Sequence, residues 1–172
     1  MNHVINQLSG LASPWLYVTV GILAALESAV LAGLILPGET ALIVGGIAAS
    51  QGHVNLWVMV GVAVAAAIAG DSIGYEMGRR LGPQIRVSRV GRWIGEDRWE
   101  RAEHSLKRRG GPAVLIGRWV GILRAVVPGV AGISGMAYGR FLMWNVIGAL
   151  LWAPAVVGGG YLAGNSLWAF ER

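Results

Sequence analysis

The stretch "LILPGETALIVGG", Leu34 to Gly46, decides the fold. It is apolar on both sides and broken near its middle by Pro37, Gly38 and the ionisable Glu39. Proline removes a backbone donor and crowds the preceding turn, and a carboxylate in hydrocarbon is costly. Irregular backbone at membrane depth is tolerated where it is buried in protein or lines a wet cavity. The stretch therefore reads as the tip of a re-entrant hairpin, with half-helix ends available to an ion or substrate.

Composition places that hairpin in a membrane. The 172 residues are 55% hydrophobic and only 13% charged, far from the usage of a soluble domain. Twenty-seven glycines and eight tryptophans fit the same class, because small residues let spanning helices approach and Trp gathers at interfaces. With no cysteine, a disulfide framework, thiolate catalysis and Cys-bound metals are excluded. His3, His53 and His104 lie outside the apolar runs, so neither a metal site nor a cofactor is expected. The start, "MNHVINQLSGLASPW", lacks the basic region of a cleaved signal peptide and reads as mature, interfacial sequence. Ten of the fourteen basic residues fall between Arg79 and Arg109. In a membrane chain they mark a cytoplasmic loop over 79–110 rather than a nucleic-acid site.

The chain holds four apolar blocks: Pro14 to Ser50, Val54 to Gly78, Gly111 to Gly135 and Phe141 to Gly164. The first is too long for one span and short for two. Between the second and third, "EDRWERAEHSLKRRG" repeats Trp99, Ala102 and Leu106 at helical spacing, which predicts an amphipathic surface helix. The halves also repeat. At an offset of 86, "GIAASQG" from Gly46 faces "GISGMAY" from Gly132, and "GYEMG" from Gly74 faces "GYLAG" from Gly160. The expected architecture is an all-α integral membrane domain over 1–172. Repeat 1 covers about 14–80, an amphipathic linker 81–110, and repeat 2 about 111–166. Each repeat is a re-entrant hairpin and then a full span, and one net crossing per repeat makes the second inverted relative to the first.

Glu39, Asp71, Arg118 and Arg124 interrupt the apolar blocks. Each such charge costs roughly 2.5 to 3.5 kcal/mol at a helix centre, so the four are expected to face one another in one cavity. Arg118 and Arg124 diverge by about 120° on an unbroken helix and converge only if the chain bends. Gly121 offers a hinge, and Pro128 with Gly129 a further break. Two guanidinium forks beside loosened backbone suit an oxyanion such as phosphate. Glu39 and Asp71 act either as proton carriers or as constant counter-ions. A packing ion-pair network is the structural alternative. Glu27 is a secondary candidate, read as the interfacial foot of the first hairpin. Glu76 pairs with Arg79 or Arg80 at a helix end, and Arg140 snorkels.

"ESAVLAGLILPGE" (27–39), "GDSIGYEMGRRLG" (70–82), "GRWVGILRAVVPGVAGISGM" (117–136) and "FLMWNVIGALLW" (141–152), in that order, resemble the DedA family of bacterial membrane proteins, part of the wider VTT group. The resemblance implies a multi-pass protein of the bacterial plasma membrane with two opposed re-entrant hairpins. It further implies movement of a lipid-linked phosphate, undecaprenyl or another polyprenyl phosphate, between leaflets; in the leading reading, proton or membrane-potential coupling through Glu39 and Asp71 supplies direction. The family's functional acids and arginines map onto Glu39, Asp71, Arg118 and Arg124. Trp119 stands where Phe is expected, Ile122 and Leu123 where a proline is common nearby, and the chain ends soon after its last span. A phospholipid scramblase, or a proton-coupled ion or drug exporter serving membrane homeostasis, is the competing function. An intramembrane phosphatase is disfavoured because no His lies in an apolar block, and a scaffold would not require charged hairpin tips. Homo-oligomerisation stays open.

Overall fold

Eight helices make up the described elements: α1 (Asn2–Ala29), α2 (Gly38–Ser50), α3 (Leu56–Val87), α4 (Arg89–Ile94), α5 (Glu96–Arg109), α6 (Gly111–Gly117), α7 (Gly121–Ile133) and α8 (Tyr138–Phe170). The structure is a computed structural model that describes residues 2–29 and 38–170. Pro37, the expected hairpin tip, lies outside the described residues. Two segments, Leu56–Gly82 in α3 and Tyr138–Ser166 in α8, are apolar and long enough to cross a bilayer. Large apolar side chains face outward along both, including Trp57, Leu150, Leu151 and Leu162. α1 begins at Asn2 and carries Pro14 inside it, so the segment read as interfacial forms one continuous helix with the apolar residues up to Ala29.

α1 and α2 run back along each other. At one end Asn55 N donates to Tyr17 Oη at 2.6 Å, and at the other Glu39 N donates to Glu27 Oε2 at 2.7 Å. α6 and α7 form the second helix pair, joined by a turn at Arg118 to Val120, where Val120 is extended (φ −113°, ψ 110°). The second break therefore falls there and not at Pro128–Gly129, which lie buried inside α7. Proline is tolerated inside a packed membrane helix because neighbours compensate for the missing donor. Gly129 meanwhile gives the backbone a close crossing with α3.

The second member of each pair packs on the long helix of the other half: α2 on α8 and α7 on α3. Glycines set both crossings. A methyl group at Gly46 would stand 2.9 Å from Tyr161 N, and one at Gly132 would stand 2.6 Å from Arg79 N and against the Tyr75 carbonyl. Tyr161 and Tyr75 are themselves 86 apart, so the sequence repeat coincides with equivalent contacts. With no solvent difference between helices in lipid, such backbone approach is what dispersion packing requires. Leu42, Met59, Ala63, Ala153 and Val157 form one core among α2, α3 and α8. Tyr75, Val114, Val127, Ala131 and Phe141 form a second, in which Tyr75 stacks on Phe141 and donates its hydroxyl to the Met136 carbonyl.

The linker is more than a surface helix. Trp99 and Leu106 of α5 are buried, and Trp99 packs on Val126 and Val130 of α7. Gly95 (φ 85°) and Gly110 (φ 61°) bracket α5 in the left-handed region that glycine occupies at low cost. Glu76 pairs with Arg80 at 2.6 Å on an exposed face, as expected one turn apart.

Candidate functional site

Where the ends of the two helix pairs meet, three elements share one ion-pair cluster. Glu27 lies in the last turn of α1, Glu39 in the first turn of α2 and Arg124 in the first turn of α7. Arg124 Nη2 donates to Glu27 Oε1 at 2.5 Å and Arg124 Nη1 to Glu39 Oε2 at 3.0 Å. The other Glu27 oxygen accepts from Glu39 N, so this carboxylate satisfies an orphan donor at the positive end of α2. Gly38 is needed for that approach. A Cβ there would run into the Glu27 carboxylate and stand 2.9 Å from the Leu23 carbonyl.

Glu27, read from sequence as the interfacial foot of the first hairpin, stands at the end of the α1–α2 pair that carries Glu39 and meets Arg124.

Arg118 anchors a second, drier cluster. Its Nη1 donates to Asp71 Oδ2 at 2.5 Å and to Asn145 Oδ1 at 2.6 Å, and Asn145 Nδ2 reaches the Ile68 carbonyl at 3.4 Å. The Arg118 and Asp71 side chains are only 4% and 5% exposed. Such a pair repays its desolvation only with good geometry and further hydrogen bonds, and Asn145 supplies one. Among the described residues, Asp71 Oδ1 and Arg118 Nε are buried without a partner.

The indole of Trp152 joins the clusters. Arg118 and Arg124 stand over its ring, with guanidinium carbons 5.6 Å and 4.9 Å from the centroid. This brings the two arginines into one site, as cation–π contact in a desolvated setting favours. Beside them is a cavity of about 280 Å³ lined by Glu39, Arg118, Trp119, Gly121, Arg124, Trp152, Ala155 and Val156. Gly121 opens α7, directly after the turn that lets the arginines converge. Of the four charges expected in one cavity, Glu39, Arg118 and Arg124 line it; Asp71 stands behind Arg118. Pro128 and Gly129 belong to the α3 crossing instead.

Two residues of the site were not foreseen from sequence. Asn145 is an amide in the otherwise apolar "FLMWNVIGALLW", a detectable signal because an unpartnered amide in hydrocarbon is costly. Trp152 lies deep within a span, away from the interfacial positions where tryptophan usually gathers.

The VTT domain model matches residues 36–162, which include every residue of the site except Glu27. An uncharacterized membrane protein of Synechocystis sp. is 35% identical over 162 residues, 94% of this chain and 73% of its own length. Protein DedA of Escherichia coli (strain K12) is 31% identical over 153 residues, 88% of this chain and 70% of its own. An uncharacterized membrane protein of Mycobacterium leprae is 31% identical over 131 residues, and the chain spans 59% of it. No solved structure matches. Two long apolar helices, a charged site between helix-pair ends and a family match over most of the sequence converge on one statement: this chain is a membrane protein of the DedA family, built around a VTT domain.

Proposed function

We propose that the protein is a transporter that moves a lipid-linked phosphate, of the polyprenyl phosphate class, between the leaflets of the bacterial plasma membrane, and not an enzyme. The observation that carries this reading is the convergence of Arg118 and Arg124 on one Trp152-backed cavity. Guanidinium groups present planar forks matched to phosphate and stay charged at any working pH. The apolar tail would remain in lipid while the head group occupies the cavity. Glu39, beside the cavity, is the candidate for coupling to protons; Asp71 holds Arg118 in place.

We further propose that 14–80 and 111–166 are inverted repeats with re-entrant hairpins. The exchange of partners, α2 on α8 and α7 on α3, supports this, as does the turn at Arg118 to Val120 lying beside the Glu27–Glu39 end of the other pair. The basic segment 79–110 then faces the cytoplasm. Because α3 separates them, single cysteines at the exposed positions Gln51 and His104 should label from opposite sides. Labelling of both from one side contradicts the topology.

The function is tested by reconstitution. Purified protein in vesicles should accelerate leaflet exchange of a short polyprenyl phosphate and leave the matching polyprenol unmoved. Equal acceleration of phosphatidylcholine would identify a scramblase instead, and release of inorganic phosphate would identify an enzyme.

A further inference from the structure

The charges of the site do not balance. Three carboxylates, Glu27, Glu39 and Asp71, meet two guanidinium groups. An anionic head group entering the cavity would add to that excess unless a carboxylate left its partner. The three acids differ in their freedom to do so. Asp71 is enclosed against Arg118. Glu27 is 10% exposed and accepts from both Arg124 Nη2 and Glu39 N. Glu39 is 48% exposed, lines the cavity, and makes the longest of the three ion pairs, at 3.0 Å. Its backbone N–H is held by Glu27, so its side chain can rotate away while α2 stays in place.

We propose that the Glu39 carboxylate is a resident stand-in for the ligand's phosphate. It occupies Arg124 Nη1 while the site is empty, and an entering phosphate monoester displaces it. Glu27 keeps Arg124 in position throughout. This rests on the lipid-phosphate reading above and adds to it that Glu39 opposes binding. The arrangement has a use: a donor left without an acceptor in a water-poor site is costly, and the returning carboxylate accepts from Arg124 Nη1 as the head group leaves. The charged groups facing Glu39 are Glu27 from α1, Arg124 from α7 and Arg118 from the α6–α7 turn; α3 contributes Asp71 behind Arg118, and α8 contributes the uncharged Trp152.

Binding of octyl phosphate and octyl sulfonate to the purified full chain in nanodiscs tests the idea. Glu39→Gln should bind both roughly two- to tenfold more tightly than wild type, the range a half-exposed ion pair supports. Glu39→Ala should do the same, which covers failure of the first variant to fold. Glu27→Gln should bind more weakly, because Arg124 loses its permanent anchor. Wild-type binding that Glu39→Gln or Glu39→Ala leaves unchanged or weakens overturns the stand-in role alone. No binding of either probe by wild type removes the lipid-phosphate reading, and the stand-in role with it.

Discussion

Arg118 and Arg124 stand over the same indole but live in different surroundings. Arg118 is fixed from behind by Asp71 and Asn145, with both partners of the ion pair almost fully buried. Arg124 is shared between a buried carboxylate and one that is half exposed. Burial sets the difference in consequence. A charge pair sealed from water cannot lose one member cheaply, whereas an exposed pair contributes little to stability and exchanges partners readily. The Arg118 cluster is therefore the rigid wall of the site, and the Arg124 cluster is its exchangeable face.

This contrast orders the expected effects of mutation. Asp71→Ala should be the most damaging, at about 3 to 5 kcal/mol, because it leaves Arg118 buried without a counter-charge; denaturant unfolding in detergent measures it. Equal loss from Glu39→Ala would erase the distinction between the two clusters. Asn145→Leu should cost about 1 to 3 kcal/mol through the unmet hydrogen bond at Arg118, read in the same unfolding series. Trp152→Leu should cost about 1 to 2 kcal/mol from the lost cation–π contacts, and its larger effect should be on anion binding, since both guanidinium groups lose their backing. Glu39→Gln sits at the bottom of the scale. With a half-exposed partner it should change stability by no more than about 1 kcal/mol.

The division between the clusters was only partly legible in the sequence. Glu39, Asp71, Arg118 and Arg124 announced themselves because ionisable groups in apolar runs need one another. Linear order could not say that Asp71 stands behind Arg118 instead of in the cavity, since that depends on how α3 and α8 cross. Glu27 was undervalued for a similar reason. Its role depends on where α1 ends, because its last turn meets the start of α2 and Arg124. Pro128–Gly129 resembled a second "PG" tip, yet the 86-residue offset does not align it with Pro37–Gly38. The actual bend at Val120 carries no proline and needed the backbone to be located. The glycines of the two crossings, Gly46 and Gly132, were legible at their offset of 86, because glycines at helix crossings are the residues least free to vary in size.

The most direct test of the account compares polyprenyl phosphate exchange in vesicles between wild type and Arg124→Lys at matched stability. Lysine keeps the charge but not the planar fork that can hold Glu27 and a phosphate at once. Exchange should fall about tenfold or more while the unfolding midpoint stays close to that of wild type. Exchange at the wild-type rate in this variant would contradict a guanidinium grip on the head group.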